Sequence, residues 1–340
     1  MNSKERCLAL VNGQVYDRAP VFPLLMFFAQ SRLNISYKTY AKNGRSMAEA
    51  QINVKEKFNI DAITACSDAF RITADLGAEM VYPEDKPPFA FASLVKNEND
   101  LARLKKPDVG NARSRMYDRT LGVEEMVKNV GNEILVLGWV DMPFAEACSL
   151  CGVSEFMMML FENPELAHRI LSFLTDIVID FSLMQLEAGA PMIGAGDAAA
   201  SLISSELYKE FALPYEHKVC TAIHEKGGLV KLHICGNTFH LLEQMAMSGA
   251  DLFNVDHMVD LKEAKTVYDR HKLSFKGNLD PVAHIMNSDP ETCEKKAIEC
   301  MNIAKGSRYM LSGGCEIPAE TPDEVFHAFC NASAKHVYRR

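Results

Sequence analysis

No stretch of this 340-residue chain approaches ~18 uninterrupted apolar residues, so no membrane-spanning helix is expected. No lysine and arginine run forms a basic patch, and Lys+Arg 36 against Asp+Glu 45 leaves a formal net charge of −9. That balance argues against nonspecific nucleic-acid binding. No G-x-G-x-x-G follows a predicted strand and no G-x-x-x-x-G-K-[ST] occurs, which leaves dinucleotide folds and nucleotide hydrolysis unsupported. The opening segment MNSKERCLALVNGQVYDRAPVF lacks a continuous apolar core and a small-residue cleavage site, so no signal peptide is expected. Ten cysteines in such a chain read as reduced cytoplasmic thiols, not a disulfide framework. Low-complexity tracts, short repeats and linkers are also missing.

What is present is a βα rhythm. Short apolar runs end in a polar residue or glycine, and helical patterns follow. The strand candidates are Val21 to Phe28, Ile60 to Ala65, Ile134 to Val140, Pro191 to Ala195, Leu229 to Ile234, Asp251 to Val255, Leu273 to Lys276 and Arg308 to Leu311. Helical spacing covers Glu155 to Ala188 with a restart at Pro164, then Glu206 to Lys226, Thr238 to Met247, Leu261 to Arg270, Pro290 to Ala304 and Pro322 to Lys335. Alternation of this kind predicts an α/β fold, the TIM (β/α)8 barrel, as a single domain over 1–340. A helical extension is expected at about 1–18. An insertion between strands 2 and 3 is expected at about 76–131, with a hairpin or cap and a helix over Leu121 to Val130.

Barrel active sites lie at the C-terminal ends of the strands. Those ends carry Asp68, Asp141, Asp197, His233, Cys235, Asp256, His257, Asn278 and Cys315. In Leu232-His233-Ile234-Cys235-Gly236 the histidine and the cysteine are two residues apart and share one face of a strand. Cys315 follows the eighth strand in Ser312-Gly313-Gly314-Cys315-Glu316. One imidazole and two thiolates suit zinc, and three protein ligands leave a position for substrate. A buried histidine with two inert cysteines fits the same residues. Asp141, Asp197 and Asp256 are candidates for proton handling or for orienting substrate, and each also suits a helix N-cap. Cys148-Ser149-Leu150-Cys151 reads as core packing at a helix start, and Cys7, Cys66, Cys220, Cys293, Cys300 and Cys330 as structural. Asp269-Arg270-His271 opens like a D-x-H-x-x-G corrinoid motif, but Ser274 stands where the glycine belongs, so no corrinoid-carrying domain is expected.

Longer motifs carry a resemblance. Lys4-Glu5-Arg6 with Asp17-Arg18-Ala19-Pro20-Val21, Gly196-Asp197, His233-Ile234-Cys235-Gly236, Gly277-Asn278-Leu279-Asp280-Pro281 and Gly314-Cys315-Glu316-Ile317-Pro318 span nearly the whole chain. They resemble the uroporphyrinogen decarboxylase superfamily, in its cobamide-dependent methyltransferase branch. The resemblance implies a TIM barrel with Zn2+ held by His233, Cys235 and Cys315, and a cobalamin (corrinoid) supplied by a corrinoid-binding partner protein. It also places Asp68 and Asn278 on the cofactor side. The implied reaction moves a methyl group between the corrinoid and a small methylated substrate or thiol, such as a methoxylated aromatic or coenzyme M. Zinc would either lower a thiol's pKa or bind an ether oxygen. Met26, Phe27, Phe28 and Trp139 would form an apolar wall for an aromatic ring.

The decarboxylase branch is the alternative. Asp68 sits where those enzymes keep a catalytic aspartate, but their arginine-rich R-Q-A-G-R-type motif is replaced by Leu24-Leu25-Met26-Phe27-Phe28-Ala29-Gln30. That apolar run cannot neutralise a substrate with many carboxylates. A third possibility is a non-catalytic partner of a corrinoid protein that kept the fold.

Overall fold

The strands are β1 (Ala62–Thr64), β2 (Met80–Val81), β3 (Phe89–Ala90), β4 (Leu135–Asp141), β5 (Met192–Gly196), β6 (Leu229–His233), β7 (Leu252–Asn254), β8 (Ser274–Leu279) and β9 (Tyr309–Gly313). This computed structural model describes residues 1–336; residues 337–340, the end of the expected domain, lie outside the described residues. Seven strands form one parallel sheet in the order β1-β4-β5-β6-β7-β8-β9, while β2 and β3 pair as an antiparallel hairpin. A short stave closes the curl. Val21 and Leu24 bridge in parallel to Leu311 and Glu316, Phe22 N donates to Leu311 O at 2.9 Å, and Asp61 N donates to Val21 O at 2.8 Å. The chain is thus a TIM-type α/β barrel.

The expected first strand, Val21 to Phe28, is cut short. Only its first residues bridge, and a helix starts at Phe27 (Phe27–Leu33). An apolar run of that length fits a strand or a buried helix equally well. Pro214 divides the helix expected over Glu206 to Lys226 into Ser205–Phe211 and Leu213–Glu225. The Thr238 to Met247 pattern shrinks to a 3-10 turn, Phe239–Leu241, and one turn of helix, Leu242–Met245. Cys148 and Cys151 end a helix, Pro143–Cys151, where a helix start was expected. Gly152, at φ 90, breaks the chain before the next helix, Val153–Glu162.

Inward faces explain why the site sits at one end. At the lower end Leu135, Leu137, Met192, Leu252 and Met310 pack against Cys7, Leu10 and Val11 of the helix Ser3–Val11, which plugs the barrel. That helix is anchored by Arg6, whose Nη1 donates to Asp61 at 2.7 Å. The fully buried Asp61 also accepts from Arg18 at 2.8 Å and from Val21 N at 2.7 Å. The Arg6, Asp17 and Arg18 motif therefore ties the plug to the first stave. Higher up, the interior turns polar. Lys276 Nζ donates to Phe22 O at 2.6 Å, and Lys231 Nζ lies 4.6 Å from the Trp139 ring centroid. No single helix among the described residues is long and apolar enough to cross a membrane.

Candidate metal centre and the adjoining pocket

Alternation along β6 turns Leu229, Lys231 and His233 to one face, and the chain continues to Cys235. Cys315 arrives from the loop after β9. One ligand atom each from His233, Cys235 and Cys315 lies within 4.8 Å of the others. Cys315 Sγ is 3.9 Å from His233 Nε2, across 82 residues of sequence. Donors on a tetrahedral zinc lie roughly 3.5–3.8 Å apart, so small side-chain adjustments would seat the ion. Burial pulls the His233 pKa down and keeps the imidazole neutral, the form that ligates metals. A hydrogen bond with Cys315 draws the Cys235 thiol down to about 7, and the same contact pushes Cys315 up to about 12. Two sulfurs sharing one proton beside a neutral imidazole are a donor set that fits zinc.

Neighbouring loops fix these donors. Asp256 accepts from Gly236 N at 3.0 Å and Met258 N at 2.9 Å, and pairs with His257 Nδ1 at 3.1 Å. Asn278 Nδ2 donates to Asp256 O at 3.2 Å and Val259 O at 2.7 Å. Asn254 Nδ2 donates to Gly314 O at 2.7 Å, and a Cβ on Gly314 would run into His257 N. Asp256 and Asn278 thus brace the loops that carry the thiols. Glu316 does the same from the other side. Its carboxylate accepts from Met26 N at 3.1 Å and Phe27 N at 2.5 Å, and burial raises its pKa to about 8.

The remaining aspartates diverge. Asp141, Gly196 and His233 are in register on adjacent strands, about 10 Å from first to last. The glycine leaves room for the carboxylate: a Cβ on Gly196 would sit 2.8 Å from Asp141 Oδ1. Asp141 therefore leans towards the His233 side of the mouth, held by the fully buried Arg71. Burial raises the Asp141 pKa, and Arg71 opposes the rise. Asp68 takes both Arg115 nitrogens at 2.8 Å, Ser67 Oγ at 2.6 Å and Phe70 N at 3.0 Å. Burial would raise its pKa, but the Arg115 charge and these bonds hold it well below the usual carboxylate range. Asp197 is fully buried and accepts from Ala145 N at 2.7 Å; burial and the neighbouring Glu216 raise its pKa strongly. It lies outside the group formed by His233, Cys235 and Cys315.

The expected apolar wall is not assembled. Phe28 is fully buried and packs on Phe58 and Phe326, while Phe27 stacks on Tyr37 at 3.9 Å. The helix beginning at Phe27 commits the Phe28 ring to the outer core. Met26, with Sδ 3.2 Å from Cys66 Sγ, and Trp139, 6.4 Å from the His233 ring, stay near the mouth. A different apolar surface exists instead. A cavity of about 610 Å³ is lined by Ala69, Phe70, Phe91, Ala145, Ala199 and Leu202, among others. Nothing singled these residues out beforehand, because four separate chain segments contribute them. The only local sign was the alanine run that follows Asp197.

Comparison with known proteins bears on the family and the fold. The uroporphyrinogen decarboxylase (URO-D) family profile matches residues 2–336. The methylcobamide:CoM methyltransferase MtbA of Methanosarcina acetivorans is 30% identical over 342 residues, covering 98% of each chain. A uroporphyrinogen decarboxylase from Prochlorococcus marinus is 26% identical, covering 96% of this chain and 95% of its own. A solved methyltransferase from Methanosarcina mazei superposes with a TM-score of 0.89 at 21% identity, covering 98% of this chain and 99% of that one, which speaks for the fold. The chain belongs to the uroporphyrinogen decarboxylase family and falls in its cobamide-dependent methyltransferase branch.

Proposed function

We propose that this protein is a zinc-dependent methyltransferase that moves a methyl group between a corrinoid protein and a small substrate. The observation that carries the reading is the convergence of His233, Cys235 and Cys315 within 4.8 Å at the barrel mouth. The 30% identical relative, a methylcobamide:CoM methyltransferase by name, supports it. Zinc on these residues would supply a Lewis-acidic centre with a position open to a thiol or ether. The protein's own groups do the rest. Asp256, Asn278 and Glu316 hold the ligand loops in register. Asp141, buried and steadied by Arg71, is the carboxylate best placed to hold or release the proton that leaves a thiol or joins a departing oxygen. Asp68 serves as an internal anchor, and Asp197 braces the helix that starts at Pro143.

Against tetrapyrrole decarboxylation stands the engagement of Asp68. A carboxylate that accepts two bonds from Arg115 and two more from Ser67 and Phe70 has no free lone pairs to gather pyrrole N–H groups. The only arginine on the Phe27–Leu33 helix, Arg32, is bound to Asp323 at 2.8 Å and to the backbone of Ala319 and Thr321. Zinc content tests the proposal. Protein kept reduced and free of chelators is expected to hold about one zinc per chain, lost or weakened in Cys315→Ser. Zinc-loaded protein is then expected to transfer methyl groups with a corrinoid protein. Wild-type protein without zinc overturns the reading.

A further inference from the structure

Resting on the methyltransferase reading, we propose that the open cavity beside the metal centre holds the body of an uncharged, ring-sized methyl-bearing substrate and discriminates against anionic ones. The cavity reaches the metal loop at Ser201, whose Oγ lies 3.4 Å from where a Cβ of Gly236 would sit, one residue beyond Cys235. Its volume of about 610 Å³ falls within the range of small-molecule sites.

The lining carries no acidic or basic residue. This is the result of a specific arrangement, because charged residues adjoin the lining in sequence and each is turned elsewhere. Asp68, before Ala69, faces Arg115. Arg71, after Phe70, faces Asp141. Glu146, after Ala145, is fully buried, and Asp197, before Ala198, accepts from Ala145 N. The wall therefore presents alanine, phenylalanine, the Cys148 thiol and a few hydroxyls; behind it Asp68 is engaged with Arg115, Arg71 with Asp141 and Asp197 with Ala145 N, while Glu146 is fully buried.

Phe70 and Phe91 bring aromatic carbon to the lining, and the alanines leave room for a ring. Polar contact is limited to hydroxyls such as those of Ser93, Ser149 and Ser201. Ser201 Oγ donates to Ala198 O at 2.8 Å, which leaves its lone pairs to accept from a neutral hydroxyl. A sulfonate or carboxylate entering this space would lose water and meet no cation.

The test compares 2-methoxyphenol with 3-methoxybenzoate, which differ in charge at similar size. Binding is measured by titration calorimetry in metal-free and zinc-loaded full-length protein, with zinc content recorded in parallel. The neutral probe is expected to bind at least about tenfold tighter in both forms. Ala199→Trp, which fills the cavity, is expected to weaken it by roughly tenfold or more at unchanged zinc content. Leu202→Arg, at a residue 68% exposed and so harmless to folding, is expected to shift preference towards the benzoate. Equal or tighter binding of the benzoate by wild type, no binding of the phenol, or indifference to both substitutions would overturn the inference. Absence of zinc with the pocket preference intact would instead refute the methyltransferase reading and leave the pocket standing.

Discussion

The pair formed by Arg115 and Asp68 allows a quantitative prediction that also separates the two branches of the family. Their side chains are 13% and 1% exposed, and two 2.8 Å contacts join them. Arg115→Met would leave the Asp68 carboxylate buried without its main partner and remove a 3.0 Å bond from Arg115 Nη2 to Ala41 O. Removing one partner of a buried pair costs about 3–5 kcal/mol. At a urea slope of about 3 kcal/mol per molar, the midpoint should fall by roughly 1 M or more. The effect should depend on pH. The folded-state pKa of Asp68 lies below its unfolded value, so the pair's contribution is complete above about pH 4 and fades as pH falls further. The gap between wild type and variant should therefore be widest near neutrality and shrink in acid. The double variant Asp68→Asn with Arg115→Met should recover much of the loss, because no unpaired charge remains. Urea titrations of wild type, Arg115→Met, Asp68→Asn and the double variant at pH 7 and about pH 2.5 measure all of this. A single variant within about 0.5 kcal/mol of wild type, or a gap that does not change with pH, would refute the ion-pair account. In a decarboxylase of this architecture, Asp68→Asn would instead abolish turnover with little change in stability.

Gly314→Ala should weaken zinc binding by roughly 10–100-fold in a chelator competition, because the added methyl meets His257 N and displaces the loop carrying Cys315. Gly194→Ala places a Cβ 2.5 Å from Trp139 Cε3 and should destabilise the barrel by about 1–3 kcal/mol, seen as a lower melting temperature and changed fluorescence of the sole tryptophan. Stripping zinc with a chelator should abolish methyl transfer while far-ultraviolet circular dichroism stays unchanged, since the plugged barrel packs independently of the metal ligands; loss of secondary structure would show the metal to be structural.

Much of this protein was legible in the sequence. Short apolar runs bounded by turn residues marked seven of the eight staves, because a strand buried on both faces needs little more than that pattern. The i, i+2 spacing of His233 and Cys235 placed them on one face, and the barrel topology put Cys315 at the same end. Other features depended on chain folding. Val21 to Phe28 reads equally as strand or helix, and packing of Phe28 between Phe58 and Phe326 decided that most of it leaves the sheet. Local pattern says nothing about which arginine neutralises which aspartate, so Arg115 with Asp68 and Arg71 with Asp141 emerged only in three dimensions. The uncharged cavity was invisible for the same reason. Its walls come from four separate chain segments, and its neutrality depends on where the neighbouring charges turn. Sequence periodicity set the strands and their faces, because backbone geometry repeats locally. The contacts across 82 residues that bring Cys315 to His233, and the pairing of buried charges around them, were decided by closure of the barrel.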